Sequence, residues 1–276
     1  MLILALAGPM AATAQTAHDV AHRAELMGSE QFIFHSSIQK RDLLIQVIPP
    51  LNKPTVPVPA VYMTDSEQSI WAGVLAAGGV PWGEFQPAYF IGIAYPELDV
   101  LHWNRQRVHD LTHVQGQDLG AFDERLSGVQ TGGGADYERF LIEELKPEIE
   151  RRYPVDPKQA VLSGFSLGGL FTANVLVRHP EAFNTFLIGS PSMPLQMSLV
   201  EDAKAAKIGR DVRVFIGVGS AEDDKMVQGA FALTKALKAN PTHPEIVGVW
   251  VGQGLSHVQF IGEFMTRALT FALQPR

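Results

Sequence analysis

One short stretch of the sequence combines a nucleophilic side chain with the glycines that would expose it. Gly164-Phe165-Ser166-Leu167-Gly168 fits the pattern G-x-S-x-G and lies between an apolar run and a helical pattern. Such a pattern places the serine at the apex of a sharp turn from a buried strand into a helix. Glycine has no Cβ, so strand and helix can approach closely at Gly164 and Gly168. We therefore predict that Ser166 is a catalytic nucleophile and not part of a purely structural turn.

The backbone around such a turn also supplies hydrogen-bond donors for a negatively charged oxygen. The N–H of Leu167, at the predicted start of the helix, points into the same space as the Ser166 hydroxyl and can stabilise a developing oxyanion. A second donor is expected from the loop that follows a central strand. We predict that 88–94 is that strand, so the backbone N–H of Tyr95, which follows it directly, is the candidate.

A serine hydroxyl needs a neighbouring base, and the base needs a carboxylate to orient it. With this type of turn the three residues follow in the order serine, acid, histidine. His257 is the only histidine after the last predicted strand, and we predict that it is the base and not a surface or capping histidine. Three carboxylates follow the preceding strand. We favour Glu222 as the acid, because Asp223 and Asp224 are equally suited to the N-terminus of the next helix.

A long segment from about 96 to 134 shows little periodicity, which predicts a functional loop that overhangs the active site. Trp103 offers an aromatic face, and Arg105 and Arg107 offer cationic donors to an anionic substrate. These three residues are our candidate substrate-binding residues. The alternative is structural: the arginines would pair with Asp110, and the tryptophan would pack the loop down.

The same segment contains two histidines at a spacing that superficially resembles a zinc site. His109-Asp110-Leu111-Thr112-His113 has an aspartate where the H-E-x-x-H motif has glutamate, and no helical pattern surrounds it. The chain has no cysteine, which excludes thiol catalysis, disulfides and cysteine-ligated zinc. We expect neither a metal nor another cofactor.

The elements that must position these residues alternate between strand and helix in the second half of the chain. This alternation predicts an α/β fold with a mostly parallel central sheet and helices on both faces. Two earlier strands, 31–36 and 43–48, are predicted to form a hairpin. Apolar residues at helical spacing from Tyr137 to Ile149 predict a long helix, kinked at Pro147. We expect a single domain over 15–276.

Composition limits the partners of the protein. The 276 residues are 46% hydrophobic and 18% charged, with a net charge of -7 and no basic cluster, so nucleic acid is not an expected partner. No stretch is long and apolar enough to be a transmembrane candidate. A small-molecule ester is the expected partner, and the sequence leaves the oligomeric state open.

The N-terminus has features of a secretory signal. Met1 to Ala7 is apolar, and Ala12-Thr13-Ala14 offers an A-x-A cleavage site before Gln15. The basic residues that usually precede the apolar region are missing, so the true start of the chain stays open. We interpret 1–14 as a signal peptide remnant and expect a periplasmic or secreted protein. A cytoplasmic protein is expected if this segment is only an apolar tail.

Several stretches resemble the putative-esterase family of α/β-hydrolases. They are Asp136 to Leu141, Glu144 to Pro147, Gly164 to Phe171 and Ser190 to Ser192. The family contains S-formylglutathione hydrolases, feruloyl esterases, mycolyltransferases and trilactone siderophore esterases. Arg107 to Thr112 is similar to the Arg…Asp-Leu-Thr segment of the siderophore-esterase-like branch, and Gly219 to Glu222 to its acid loop. His113 stands where that branch commonly has proline, and the cysteines usual in S-formylglutathione hydrolases are absent.

This resemblance implies the α/β-hydrolase fold and a serine carboxylic-ester hydrolase that works through an acyl-enzyme. It implies bulky esters as substrates, including the lactones of catecholate siderophores. Two alternatives stay open: an acyltransferase of the same fold, and a binding protein of the same fold that has no catalytic activity.

Overall fold

The computed structural model describes residues 28–96, 99–120, 124–242 and 244–275. The predicted signal peptide remnant, 1–14, lies outside the described residues. Within the described ranges, no helix is both long enough and apolar enough to cross a membrane.

One eight-stranded sheet forms the centre of the structure, in the order β1-β2-β4-β3-β5-β6-β7-β8. The strands are β1 (Glu30–Ser36), β2 (Arg41–Ile48), β3 (Val58–Met63), β4 (Tyr89–Ala94), β5 (Val155–Phe165), β6 (Thr185–Gly189), β7 (Arg213–Gly219) and β8 (Glu245–Gly252). The first two strands form the predicted antiparallel hairpin, and β2 also runs antiparallel to β4. All pairs from β4 to β8 are parallel. The predicted α/β-hydrolase fold with a mostly parallel sheet is confirmed.

Helices cover both faces of the sheet. They are α1 (Ser66–Ser69), α2 (Trp71–Gly79), α3 (Val100–Leu111), α4 (Gly134–Arg139), α5 (Lys146–Arg152), α6 (Leu167–Arg178), α7 (Leu199–Ala205), α8 (Asp224–Lys238) and α9 (His257–Leu273), with short 3₁₀ segments at Val80–Trp82, Glu124–Leu126 and Met193–Leu195. Helices α2 and α9 pack with one cluster of buried side chains, and α3 to α8 pack with the other. Strands β3, β4 and β6 are buried along their whole length, as expected for strands covered on both sides.

The predicted long helix is present but irregular. A π-helical turn, Phe140–Leu145, joins α4 to α5, and Pro147 lies in the first turn of α5. Proline has no N–H to donate to the preceding turn, which is consistent with the irregularity just before it. Tyr137 and Ile149, at the two ends of the predicted apolar stripe, are both buried.

The expectation of an unstructured segment from 96 to 134 is wrong for its first part. Residues Val100–Leu111 form the three-turn helix α3, and the carboxylate of Asp99 caps its start by accepting from the N–H of Leu101 at 2.9 Å. The helix has a mixed surface: Val108 and Leu111 are buried, while polar side chains cover much of the rest. The apolar stripe is therefore too short to give a clear periodic signal.

Candidate active site

Ser166 occupies the junction between β5 and α6, as predicted. Its backbone has φ 61° and ψ -117°, which is rare for a residue other than glycine. The turn is held on both sides: the Ser166 N–H donates to Gly189 O at 2.9 Å, and its carbonyl accepts from Leu170 N–H and Ser192 N–H at 3.0 and 3.1 Å. Backbone strain of this kind persists only where the surroundings hold it in place, and it is common at active sites.

The two glycines of the motif allow the close approach that this turn requires. A Cβ at Gly164 would overlap the carbonyl of Gly168 at the start of α6. A Cβ at Gly168 would overlap the side chain of Thr64, in the loop after β3. The motif therefore brings β5, α6 and the β3 loop together around Ser166.

The N–H of Leu167 is oriented by its place in α6. Leu167 is the first residue of the helix, where backbone N–H groups have no acceptor within the helix. Within the described part of the chain, no other group accepts this N–H. It is therefore free to bind an oxygen of a ligand.

Glu222 and His257 come from the ends of neighbouring strands and form a hydrogen bond. Glu222 lies between β7 and α8, and His257 is the first residue of α9, after β8. The imidazole Nδ1 and the carboxylate Oε2 are 2.6 Å apart. The side chain of Glu222 is only 1% exposed, whereas that of His257 is 37% exposed. The ring of Phe165 lies 4.9 Å from the imidazole and supports it from one side.

The surroundings of Glu222 keep it ionised. Its second oxygen, Oε1, accepts from Ser190 Oγ at 2.6 Å and from Gly219 N–H at 2.7 Å. Burial alone raises the pKa of the Glu222 carboxyl, but the hydrogen bonds from His257, Ser190 and Gly219 outweigh burial and hold the pKa below its ordinary value. A buried carboxylate in this state fixes the orientation of the imidazole.

The neighbouring carboxylates have a different role. Asp223 caps α8 by accepting from Lys225 N–H at 2.9 Å, and Asp224 is the first residue of that helix. Of the three carboxylates considered in the sequence, Glu222 is the one that contacts His257.

A cavity of about 370 Å³ brings the predicted residues together. Ser166, Leu167, His257, Trp103 and Arg107 all line it. The remaining lining residues are Gln68, Asn104, Leu119, Leu126, Phe165, Ser192, Leu195, Val258 and Ile261. Eight of the fourteen lining residues are apolar and six are polar or charged, so the cavity offers both apolar surface and hydrogen-bonding groups to a small molecule.

Arg107 is already paired where it lines this cavity. Its Nε and Nη2 donate to Oδ1 and Oδ2 of Asp65 at 2.8 and 2.7 Å, and its guanidinium lies 5.4 Å from the ring centre of Trp103. Burial lowers the pKa of Arg107, but the charge and hydrogen bonds of Asp65, together with the nearby Tyr95 and Glu67, outweigh burial and raise it. The positive charge of Arg107 is therefore compensated inside the protein.

Comparison with known proteins gives a family for this site. The family model described as Putative esterase matches residues 104–271, which is more than half of the chain. The chain belongs to the putative esterase family. It is a carboxylic ester hydrolase.

Relatives and solved structures agree with this assignment. The ferri-bacillibactin esterase BesA of Bacillus subtilis is 28% identical over 247 residues, covering 82% of this esterase and 84% of the relative. The siderophore triacetylfusarinine C esterase of Aspergillus fumigatus is 28% identical over 193 residues, covering 65% and 61%. The crystal structure of the BES protein from Bacillus cereus has the same fold, with a TM-score of 0.78, 24% identity, and coverage of 92% and 97%.

The structure does not support Tyr95 as an oxyanion donor in the esterase. The backbone N–H of Tyr95 donates to the Glu67 carboxylate at 3.0 Å, so it is already used. In addition, β3 lies between β4 and β5 in the sheet, so the loop after β4 is two strands away from Ser166. The sequence showed two buried strands, β3 and β4, but not which of them borders β5.

Arg105 lies apart from the other candidate substrate-binding residues. It lines a separate cavity of about 370 Å³ together with Arg41 and His109, on the side of α3 that does not carry Trp103 and Arg107. The prediction that both arginines face the same substrate is therefore wrong for Arg105.

The alternative pairing of the arginines with Asp110 is also wrong. The carboxylate of Asp110 is fully buried and accepts from Arg41. It also accepts from the Tyr95 hydroxyl at 2.9 Å and lies 3.1 Å from His109 Nδ1. This network ties the esterase's hairpin to α3.

The two histidines of the zinc-like stretch do not share a site. His113 Nε2 is 2.7 Å from Glu138 Oε1, while His109 contacts Asp110. Over the described ranges of the esterase, no group of three or more potential metal ligands comes together.

Three residues of this site, Asp65, Ser190 and Ser192, were assigned no role from the sequence, although the two serines lie in a stretch that resembles the family. Each follows a buried parallel strand, β3 or β6, and the carboxyl ends of parallel strands meet at one edge of the sheet. Ser192 Oγ lies 3.5 Å from Ser166 Oγ, which is longer than an ordinary hydroxyl hydrogen bond. In the sequence, the polar residues that follow these two strands are the signal that could have identified them as site residues.

Proposed function

We propose that this esterase hydrolyses its substrate with Ser166 as nucleophile, His257 as general base and Glu222 as the acid that orients the base. The observation that carries the proposal is the hydrogen bond between the buried carboxylate of Glu222 and His257, whose imidazole lines the same cavity as Ser166. Because Nδ1 of His257 is bonded to Glu222, Nε2 is the nitrogen left to exchange a proton with the serine.

The reaction then follows in two halves. Ser166 Oγ attacks the ester carbonyl carbon while His257 takes the hydroxyl proton, and the carbonyl oxygen becomes an oxyanion. Collapse of this intermediate breaks the bond to the alcohol, which leaves with the proton from His257. Water then attacks the carbonyl carbon of the acyl-enzyme while His257 takes its proton. Collapse of the second intermediate releases the acid and returns the proton to Ser166.

Two backbone N–H groups would stabilise the oxyanion. The first is that of Leu167, which has no acceptor among the described residues. For the second we replace Tyr95 by Asp65, in the loop after β3, the strand next to β5. Asp65 is buried, and over the described ranges no acceptor is found for its N–H.

The cavity and the relatives both support a proposal for the substrate class. One curated relative is named as a ferri-bacillibactin esterase and another as a siderophore triacetylfusarinine C esterase. The cavity includes the indole of Trp103, which suits an aryl group. We propose bulky aryl and lactone esters as substrates, including the lactones of catecholate siderophores.

A panel assay tests this function. Hydrolysis of p-nitrophenyl acetate, a catecholate trilactone and S-formylglutathione is compared for the parent, for Ser166→Ala, for Ser192→Ala as the test of the neighbouring hydroxyl, and for Asp223→Asn as the matched control. We expect kcat/KM to be higher for the trilactone than for S-formylglutathione, and Ser166→Ala alone to lose turnover. A preference for S-formylglutathione would refute the substrate class, and an active Ser166→Ala variant would refute the mechanism.

The same assay separates hydrolysis from acyl transfer. An added alcohol should leave the yield of free acid nearly unchanged if water is the acceptor. Product analysis that finds mainly the new ester would make the protein an acyltransferase.

We also propose that the protein is exported and processed before Gln15, on the basis of the Ala12-Thr13-Ala14 pattern. N-terminal sequencing of the protein from its native host tests this. A mature chain that still begins at Met1 would contradict it.

A further inference from the structure

The ion pair between Arg107 and Asp65 is buried beside the catalytic cavity, and the reaction described so far does not use it. The side chains of Arg107 and Asp65 are only 12% and 6% exposed. Both carboxylate oxygens of Asp65 accept from the guanidinium, which is the planar two-point pairing that only arginine can make. The pair compensates both charges, so it is poorly suited to attract an anionic substrate.

The backbone of Asp65 adopts the left-handed conformation, which is uncommon for residues other than glycine. Its φ is 52° and its ψ is 53°, in the left-handed region that side chains other than asparagine and aspartate seldom adopt. Its carbonyl accepts from Gln68 N–H and Ser69 N–H at 2.9 and 3.1 Å. The side chain is fixed by Arg107. With carbonyl and side chain both held, the direction of the Asp65 N–H is fixed as well.

This loop is attached directly to the nucleophile turn. The N–H of Thr64 donates to Ser163 O of β5 at 3.1 Å, and the Thr64 side chain lies where a Cβ of Gly168 would be. A change in the backbone at Asp65 would therefore alter the space in front of Ser166.

We propose that Arg107 is a positioning residue: by binding the Asp65 carboxylate, it fixes the left-handed turn after β3 and so orients the N–H that stabilises the oxyanion. This inference rests on the proposed function, because it needs Ser166 chemistry and an oxyanion. It assigns to Arg107 a role in the transition state and not in the recognition of substrate charge.

Conservative substitutions test the proposal without removing the loop. Arg107→Lys keeps the charge but loses the two-point geometry. Asp65→Asn keeps a residue that tolerates the left-handed conformation but loses the charge. Arg105→Lys, on the other side of α3, and Asp223→Asn, at the start of α8, are the matched controls. Rates are measured with neutral p-nitrophenyl acetate and anionic mono-p-nitrophenyl succinate and are normalised to the concentration of active sites by titration.

Both test variants should lower kcat about 10- to 10²-fold, which is less than the about 10²- to 10³-fold effect of removing an oxyanion donor outright. The KM of both test variants should stay within about twofold of the parent value, and the loss of kcat should be equal for the neutral and the anionic ester. The two control variants should have the kcat and KM of the parent. The affinity for a trifluoromethyl ketone, which forms a tetrahedral adduct, should fall in proportion to kcat/KM. The double variant should lose little more than either single variant, because the two residues act as one unit.

Other outcomes would overturn the inference. A raised KM for the anionic ester alone, with kcat unchanged, would make Arg107 a substrate-binding residue. Normal kcat per active site in both variants, even with a lower unfolding temperature, would make the pair purely structural. Activity that survives Ser166→Ala would instead refute the proposed function, so the two failures are distinguishable.

Discussion

Two buried carboxylates each bind a side chain that lines the cavity containing Ser166, and the two side chains differ in chemistry. Glu222 binds the imidazole of His257, which is part exposed and can gain or lose a proton. Asp65 binds the guanidinium of Arg107, which is nearly buried and stays protonated at any ordinary pH. The first pair therefore suits proton transfer, whereas the second suits a fixed geometry. The mechanism proposed for Ser166 needs both kinds of pair, because proton transfer by the base must be combined with a fixed site for the oxyanion.

The largest effect is expected at the Glu222–His257 pair, which transfers the proton in the proposed mechanism. Replacement of Glu222 by glutamine leaves a side chain of the same shape that cannot balance the imidazolium. We expect a loss of kcat of about 10⁴-fold, while Asp223→Asn, the matched control, changes kcat little. Steady-state kinetics with p-nitrophenyl acetate measure both. A larger loss in the Asp223 variant would transfer the role to that aspartate.

The next largest effect is expected on the free energy of unfolding when the Arg107–Asp65 pair is broken. Arg107→Ala leaves the Asp65 carboxylate buried without its partner, and breaking a buried pair in this way costs about 3–5 kcal/mol. The free energy of unfolding from urea titration should fall by that amount, and Arg105→Ala should cost less than about 0.5 kcal/mol. Equal losses in the two variants would show that Arg107 is no more embedded than a surface arginine.

The stability that Glu222 contributes should depend on pH. The pKa of Glu222 is lower in the folded protein than its ordinary value, so its contribution is complete above that value, about 4.3, and is lost as pH falls through the lowered pKa. The stability gap between parent and Glu222→Gln, about 1.5–3 kcal/mol at neutral pH, should shrink in acid. Urea titrations at several pH values measure it. A gap that stays constant or widens as pH falls below about 4.3 contradicts the assignment.

The smallest effect is expected at Arg105. It lines the other cavity beside α3, away from Ser166 and the Arg107–Asp65 pair. Arg105→Ala should change kcat/KM less than about twofold for neutral and anionic esters alike. A loss of kcat/KM with the anionic ester alone, measured side by side with Arg107→Lys, would show that Arg105 contacts the substrate.

The contrast between the two pairs also explains what the sequence could and could not predict. Ser166, Glu222 and His257 each follow a strand in a regular alternation, so their order along the chain predicted that they would meet. Asp65 and Arg107 meet only because β3 borders β5 and because α3 turns one face to the cavity. Strand order and helix rotation depend on packing across the whole sheet, which local periodicity does not encode.

The central claim is that Ser166 is the residue that becomes acylated, and Ser192 is its closest rival because their hydroxyl oxygens are 3.5 Å apart. Labelling with a fluorophosphonate, followed by peptide mass spectrometry, distinguishes the two. The account predicts one adduct, on Ser166, which Ser192→Ala retains and Ser166→Ala loses together with ester hydrolysis. An adduct on Ser192, or full hydrolysis by Ser166→Ala, would contradict the account.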